Sequence, residues 1–284
     1  MPSLFSRLIP RRFKSAAVEI PVVRLSGAIM SNSSPLRQNL SLETIATQLD
    51  KAFSVKHSPA VALIVNSPGG SPVQSRLIYQ RIRDLAQENN KKVYVFVEDA
   101  AASGGYMIAI AGDEIIADPS SIVGSIGVVS ASFGFTELIK KIGVERRVHT
   151  AGKNKATMDP FQPEKMTDIE HIKALQLEIH QTFIDMVIER RGAKLQDNED
   201  LFTGQFWTGV TGLQLGLVDG LGDIRSHLRK AYGDKTELKL IQSSRGLLGR
   251  KSASGILHGQ MIGAAGESLL ATVEEKTLWS RYGL

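Results

Sequence analysis

Ser103 sits in the run Glu98-Asp99-Ala100-Ala101-Ala102-Ser103-Gly104-Gly105-Tyr106-Met107, between an apolar strand-like stretch and an apolar helix-like stretch. A hydroxyl at a strand-to-helix switch, followed by two residues without side chains, can be presented at the start of a helix. Backbone N–H groups there favour a developing negative charge. A nucleophile or an oxyanion needs that address. Serine is also a favoured helix cap, and a serine before Gly-Gly at a helix start, read alone, is more often a cap than a nucleophile. The Gly-x-Ser-x-Gly elbow of α/β-hydrolases is not met, because Ala101 stands at the first glycine position.

Two further segments could join it. Val65-Asn66-Ser67-Pro68-Gly69-Gly70-Ser71-Pro72 follows an apolar run, at the carboxyl end of a predicted buried strand. Ligands bind at such ends in open α/β sheets. Unshielded N–H groups of a Pro-Gly-Gly turn suit an oxyanion donor, although a Gly-rich turn is also ordinary turn chemistry. Ala151-Gly152-Lys153-Asn154-Lys155-Ala156-Thr157-Met158-Asp159-Pro160-Phe161 carries two lysines, which a bland reading leaves solvated.

A serine nucleophile needs a base. Of the six histidines, His171 and His180 fall on a long predicted helix, and His57, His227 and His258 have mostly polar, charged or glycine neighbours. His149 is near a candidate loop but reads as an ordinary strand residue. Lysine is the other known partner of serine.

Alternating elements must position these residues. Strands are predicted over residues 20–25, 60–65, 92–97, 114–117, 122–129, 144–150 and 238–241. Helices are predicted over 42–53, 72–89, 104–111, 135–142, 164–191 and 224–232. The long helix carries Ile172, Leu175, Ile179, Phe183 and Met186 on one face, with Gly192 as its stop. Repeated strand–helix–strand units imply an α/β fold with parallel pairing and flanking helices. The domain reading is a basic leader over 1–19, one catalytic-type domain over 20–242, and a tail over 243–284, helical around 267–275. Apolar stretches at Ile256-Leu257 and Leu269-Leu270-Ala271 would let the tail pack on a neighbour or reach an active site.

Composition narrows the classes. The 284 residues contain no cysteine, which excludes disulfides, thiolate metal sites and a cysteine nucleophile. Four of the five net positive charges, Arg7, Arg11, Arg12 and Lys14, lie in the first fourteen residues, so the body is nearly neutral. Neither a basic face nor a recognised nucleic-acid module is visible. The leader mixes apolar residues with arginines and suits peripheral contact with an anionic membrane surface, or else serves as an unstructured leader. It lacks the apolar core of a signal peptide, and no stretch reaches the roughly 20 apolar residues of a spanning helix. The expected location is cytoplasmic or peripheral at a membrane.

Together the segments resemble the signal peptide peptidase A (protease IV) family of serine–lysine peptidases, which share the ClpP/crotonase-type spiral of β-β-α units. The resemblance rests on five motifs in order: residues 64–71, Ala101-Ala102-Ser103-Gly104-Gly105-Tyr106, Gly124-Ser125-Ile126-Gly127-Val128, the lysine segment ending at Pro160-Phe161, and Leu215-Gly216-Leu217-Val218-Asp219-Gly220-Leu221-Gly222. It covers roughly residues 20–240. It implies Ser103 as nucleophile, Lys155 as general base, and the N–H groups of Gly70 and Gly104 as oxyanion donors. Ser67, Gly69 and Ser125 are candidate substrate contacts. It also implies peptide substrates, cleaved signal peptides or other short or unfolded chains among them, a homo-oligomer, and no metal or organic cofactor.

Two features depart from the family pattern. Asn154 stands where an aromatic residue often precedes the lysine, and the spanning N-terminal segment of many members is missing. Lys153 competes with Lys155, since residues two apart on an extended chain point to the same side. The family pattern favours Lys155. Two other classes would share features of the chain: a crotonase-type acyl-thioester enzyme, with the glycine oxyanion hole but no use for the serine–lysine pair, and a non-catalytic membrane-surface scaffold.

The chemistry makes a demand on the lysine. A free amine with pKa about 10.4 is neutral in roughly one molecule in two thousand at pH 7, a handicap of more than ~4 kcal/mol. Desolvation lowers a lysine pKa by several units. Lys155 is therefore expected in an apolar pocket within reach of Ser103, with Asp159, four residues on, facing away.

Overall fold

The computed structural model describes residues 17–31, 39–242, 273 and 275–284. Eight strands form one sheet: β1 Glu19–Ser26, β2 Ala60–Ser67, β3 Lys92–Ala102, β4 Glu114–Ala117, β5 Ile122–Gly124, β6 Phe206–Thr208, β7 Gly220–Leu221 and β8 Glu237–Leu240. The path runs β6-β5-β3-β2-β1-β8, with β4 joining β3 to β7. Every pair is parallel except β5–β6. The expected α/β class, a mostly parallel sheet flanked by helices, is what the chain forms.

The helices are α1 Leu42–Phe53, α2 Pro72–Glu88, α3 Gly104–Ala109, α4 Thr136–Lys141, α5 Met166–Arg191, α6 Gly209–Gln214 and α7 Ile224–Tyr232. Strand β2 is apolar from Ala60 to Val65 and buried throughout that run, as a strand covered on both faces must be. One face packs on α1, α2, α3 and the end of α5; the other, through Ile20, Ala62, Tyr94 and Phe96, packs on α7 at Leu228.

Parallel strands deliver their carboxyl ends to one edge, and β3 does so in a specific way. Its first half pairs with β4 over residues 94–97, and its second half pairs with β5 over residues 100–102. Between these halves the pairing of β3 with β2 shifts register, from Val65–Val97 to Ser67–Ala101, and the Asn66 side-chain oxygen accepts the Ala100 N–H at 3.2 Å. Three fully buried alanines, 100–102, then carry the strand to Ser103.

Several expectations are corrected. Residues 144–150 form no strand and are exposed. Their β-branched residues find no neighbouring strand, and strand preference is chiefly a preference for packed, half-buried surface. The predicted apolar face of the long helix is buried only at Phe183 and Met186; Leu175 and Ile179 are exposed. The helix does end at Arg191 with Gly192 as its cap, as expected, although the φ of −39° there leads the chain on into the 3-10 turn Gly192–Lys194. Strand β5 ends at Gly124, short of residue 129. β6, α6 and β7 had no counterpart in the sequence reading. The predicted helix around 267–275 falls mostly outside the described residues; helix is found at residues 275–280. Residues 1–16, most of the expected leader, also lie outside them.

Candidate active site

Ser103 is where β3 hands over to α3. Its backbone takes φ 52° and ψ −121°, a conformation costing a residue with a Cβ roughly 1–3 kcal/mol. Its N–H donates to the Gly124 carbonyl at 2.8 Å, fixing it to β5. The hydroxyl makes no capping bond to α3. The cap reading of this serine therefore fails: the side chain is held out and left uncommitted.

The Pro-Gly-Gly turn is packed directly against it. Gly69 (φ +100°) approaches so closely that a Cβ there would lie 2.8 Å from the Ser103 Cβ and 2.9 Å from the Gly104 nitrogen. Gly70 (φ +141°) admits none either, since a Cβ would meet the Ile29 carbonyl at 2.1 Å. A Cβ on Gly104 would sit 3.4 Å from the Gly70 nitrogen, so the two candidate donors are neighbours. First-turn N–H groups of a helix have no intrahelical acceptor, and among the described residues no acceptor takes the Gly70 N–H.

The other expected contacts divide. Ser125 (φ 54°) lines the same cleft as Ser103, a cavity of about 690 Å³. Ser67 does not: it is fully buried, its hydroxyl donates to the Gly27 carbonyl at 2.7 Å and accepts from the Gly69 N–H at 3.2 Å. It braces the turn instead of facing a substrate. Gly69 likewise supplies close approach, with its carbonyl bonded to the Ile29 N–H at 2.9 Å.

Lys155 is not in the expected apolar pocket. It is exposed, as is Lys153, and neither lines a cavity that contains Ser103. Both belong to an arm over residues 129–165 that lies almost entirely at the surface. The arm holds its own shape: the Phe135 ring meets Phe161 at a tilt, 5.6 Å between centroids, the Phe135 N–H donates to the Pro160 carbonyl at 2.6 Å, and Arg146 lies over the Phe161 ring. Asp159 pairs with Arg146, and no ion pair joins it to Lys155 among the described residues. Among the described residues, neither histidine nor carboxylate lines the Ser103 cleft.

Residues that sequence reasoning missed complete the cleft. Met107, Val128, Ile179 and Phe183 form a shallow apolar recess beside Ser103. Phe206 and Tyr282 form part of the wall of the larger cavity. Tyr106, one turn along α3, is fully buried and donates to the Leu217 carbonyl at 2.8 Å; burial pushes its phenol far above the ordinary range, keeping it a donor.

Comparison with known proteins gives the family. The family model for peptidase family S49 matches residues 85–237, a span that includes both Ser103 and Lys155. The chain belongs to peptidase family S49. A putative protease of Synechocystis is 30% identical over 243 residues, covering 83% of each chain. Protease 4 of Haemophilus influenzae is 35% identical over 223 residues, 75% of this chain and 34% of its own length. A Brucella abortus protein named as the Na(+)/H(+) antiporter NhaA is 68% identical over 290 residues, all of this chain. This chain spans only 39% of that protein's length. No helix among the described residues of this family S49 chain is long and apolar enough to cross a membrane.

Proposed function

We propose that this chain is a serine peptidase that cleaves short or unfolded peptides, spent signal peptides among them, with Ser103 as nucleophile and Lys155 as general base. The observation that carries the reading is the strained, uncapped Ser103 set against the Gly69–Gly70 turn. Strain of this kind at a solvent-accessible hydroxyl is a recurrent property of functional sites.

The neutral amine of Lys155 takes the Ser103 hydroxyl proton as the oxygen attacks a peptide carbonyl carbon. The carbonyl oxygen becomes an oxyanion held by the N–H groups of Gly70 and Gly104, donors fixed before the charge appears. Collapse breaks the C–N bond, and the lysine ammonium gives its proton to the leaving amine. Water then repeats the sequence on the acyl-enzyme, releasing the acid and restoring both side chains.

The base is proposed to come from a second copy of this chain. Among the described residues no carboxylate or histidine lines the Ser103 cleft, and the arm bearing Lys155 exposes Phe133, Leu138, Ile142 and Val144. Apolar surface of that kind marks an interface. A homo-oligomer that buries the arm beside a neighbour's cleft would desolvate the amine as the chemistry demands. Residues 1–14 are proposed to touch an anionic membrane face, which fits a peripheral enzyme that meets peptides released there.

Hydrolysis of a mixed peptide library tests the assignment. Ser103→Ala abolishes turnover with the fold intact, and Lys155→Ala costs as much while Lys153→Ala does not. Retained hydrolysis in Ser103→Ala removes the nucleophile; loss with Lys153→Ala alone transfers the base.

A further inference from the structure

The wall of the Ser103 cleft includes a segment distant in sequence. Residues 275–280 are helical and residues 281–283 form a turn, and Leu278, Arg281 and Tyr282 line the cavity that Ser103 also lines. The Tyr282 hydroxyl lies 3.3 Å from the Pro68 carbonyl oxygen and 3.2 Å from the Ser125 Oγ. Pro68 belongs to the oxyanion turn, and Ser125 to the segment that leaves β5. One phenol therefore spans both rims. Its ring meets Phe206 edge to face at 5.0 Å. Leu278 and Arg281 extend the same wall into an adjoining apolar groove of about 550 Å³ beside Met30.

An extended peptide in this cleft would need backbone partners from the same rims, as strand-adding ligands do elsewhere. The Pro68 carbonyl is one such partner, and Tyr282 already occupies it. Both tyrosine contacts are between neutral groups and half-exposed, the kind worth little net free energy and readily exchanged. Chain continuity keeps the segment near the cleft after it lets go, so it competes as an intramolecular ligand.

We propose that residues 275–284 are a strap that closes the Ser103 cleft in the resting protein, with Tyr282 as its latch. A peptide enters only by displacing it. The strap rests on the peptidase reading for its purpose, but not for its test. Binding of fluorescein-labelled β-casein, an unfolded chain, is measured by anisotropy on the full chain carrying Ser103→Ala, which removes turnover. Adding Tyr282→Phe, which deletes only the hydroxyl, tightens binding about fivefold, the worth of one modest hydrogen bond. Tyr282→Ala tightens it tenfold or more. Unchanged or weaker binding in the Phe variant overturns the strap, because Tyr282 would then be a wall that substrate uses; so does an absence of binding in every variant. Casein that binds tightly to the Tyr282 variants but is never hydrolysed when Ser103 is restored sinks the peptidase reading and leaves the strap standing.

Discussion

The Arg191 guanidinium donates to the Asp219 carboxylate at 2.7 Å, at the buried junction of α5 and the segment entering β7. Arg191 is 3% exposed and also bonds the Gly216 carbonyl, while Asp219 accepts from the Ile115 N–H and from Lys194. The Tyr106 hydroxyl reaches the Leu217 carbonyl in the same knot, so the pair anchors the helix that presents Ser103.

Burial alone would raise the Asp219 carboxyl, but hydrogen bonds from Arg191 and Lys194 outweigh it and hold the group below its usual range. A depressed carboxylate stabilises the fold above its unfolded value of about 3.9, and that stabilisation is lost as pH falls through the lower folded value. Asp219→Asn strands the buried guanidinium, at a cost of about 3–5 kcal/mol at pH 7. Urea unfolding of parent and variant checks this. The gap is constant from about pH 5 to 8 and narrows below about pH 4; a gap unchanged at low pH would show that the pair is not its source.

Gly70 and Gly104 are the positions where a methyl group tests the oxyanion assignment. Gly70→Ala must move the Ile29 carbonyl, 2.1 Å from the added carbon, and Gly104→Ala must move the Ser75 hydroxyl, 2.4 Å away. Either shift displaces an N–H donor. Each variant is expected to lose about 100-fold or more in kcat, the usual consequence of losing one such donor. Unchanged kcat in a folded variant would remove that glycine from the hole.

Elements with strong local signals were legible in the sequence. The predicted bounds of α1 match because Ser41 and Thr44 form a reciprocal cap, and those of α7 because Asp223 caps it through the N–H groups of Arg225 and Ser226. The glycines of the 69–70 turn and Ser103 were legible as a group through their order and spacing. Elements of two or three residues, β6 and β7, carry too few residues for a period to register. Tyr282 was beyond any local rule, since its partner Ser125 lies 157 residues away. The exposure of Lys155 was equally illegible, because a lysine's surroundings are fixed by packing that its neighbours in sequence do not specify.

The arm offers a separate test of assembly. Leu138 and Ile142, four residues apart on and just beyond α4, are 53% and 64% exposed. A pair so spaced shares one helix face. Leu138→Asp with Ile142→Asp places charge on that face without touching the sheet. Sedimentation is expected to fall from an oligomer to the monomer mass of 30.9 kDa, and peptide hydrolysis falls with it. An oligomer of undiminished size would show that this face is not the interface.

If Lys155 acts on a neighbour's Ser103, two dead proteins make a live one. Ser103→Ala keeps a good lysine and Lys155→Ala keeps a good serine, and each homo-oligomer is inactive. In a head-to-tail ring each copy gives its arm to one neighbour and its cleft to the other. Coexpression in equal amounts, with two affinity tags to isolate mixed assemblies, then restores whole sites wherever a Lys155→Ala copy receives the arm of a Ser103→Ala copy. Random mixing yields about one quarter of parental activity on that geometry. A dyad closed within one chain yields none, because no single copy carries both groups. Inactive mixed oligomers of confirmed composition would therefore return the search for the base to the protomer that holds the serine.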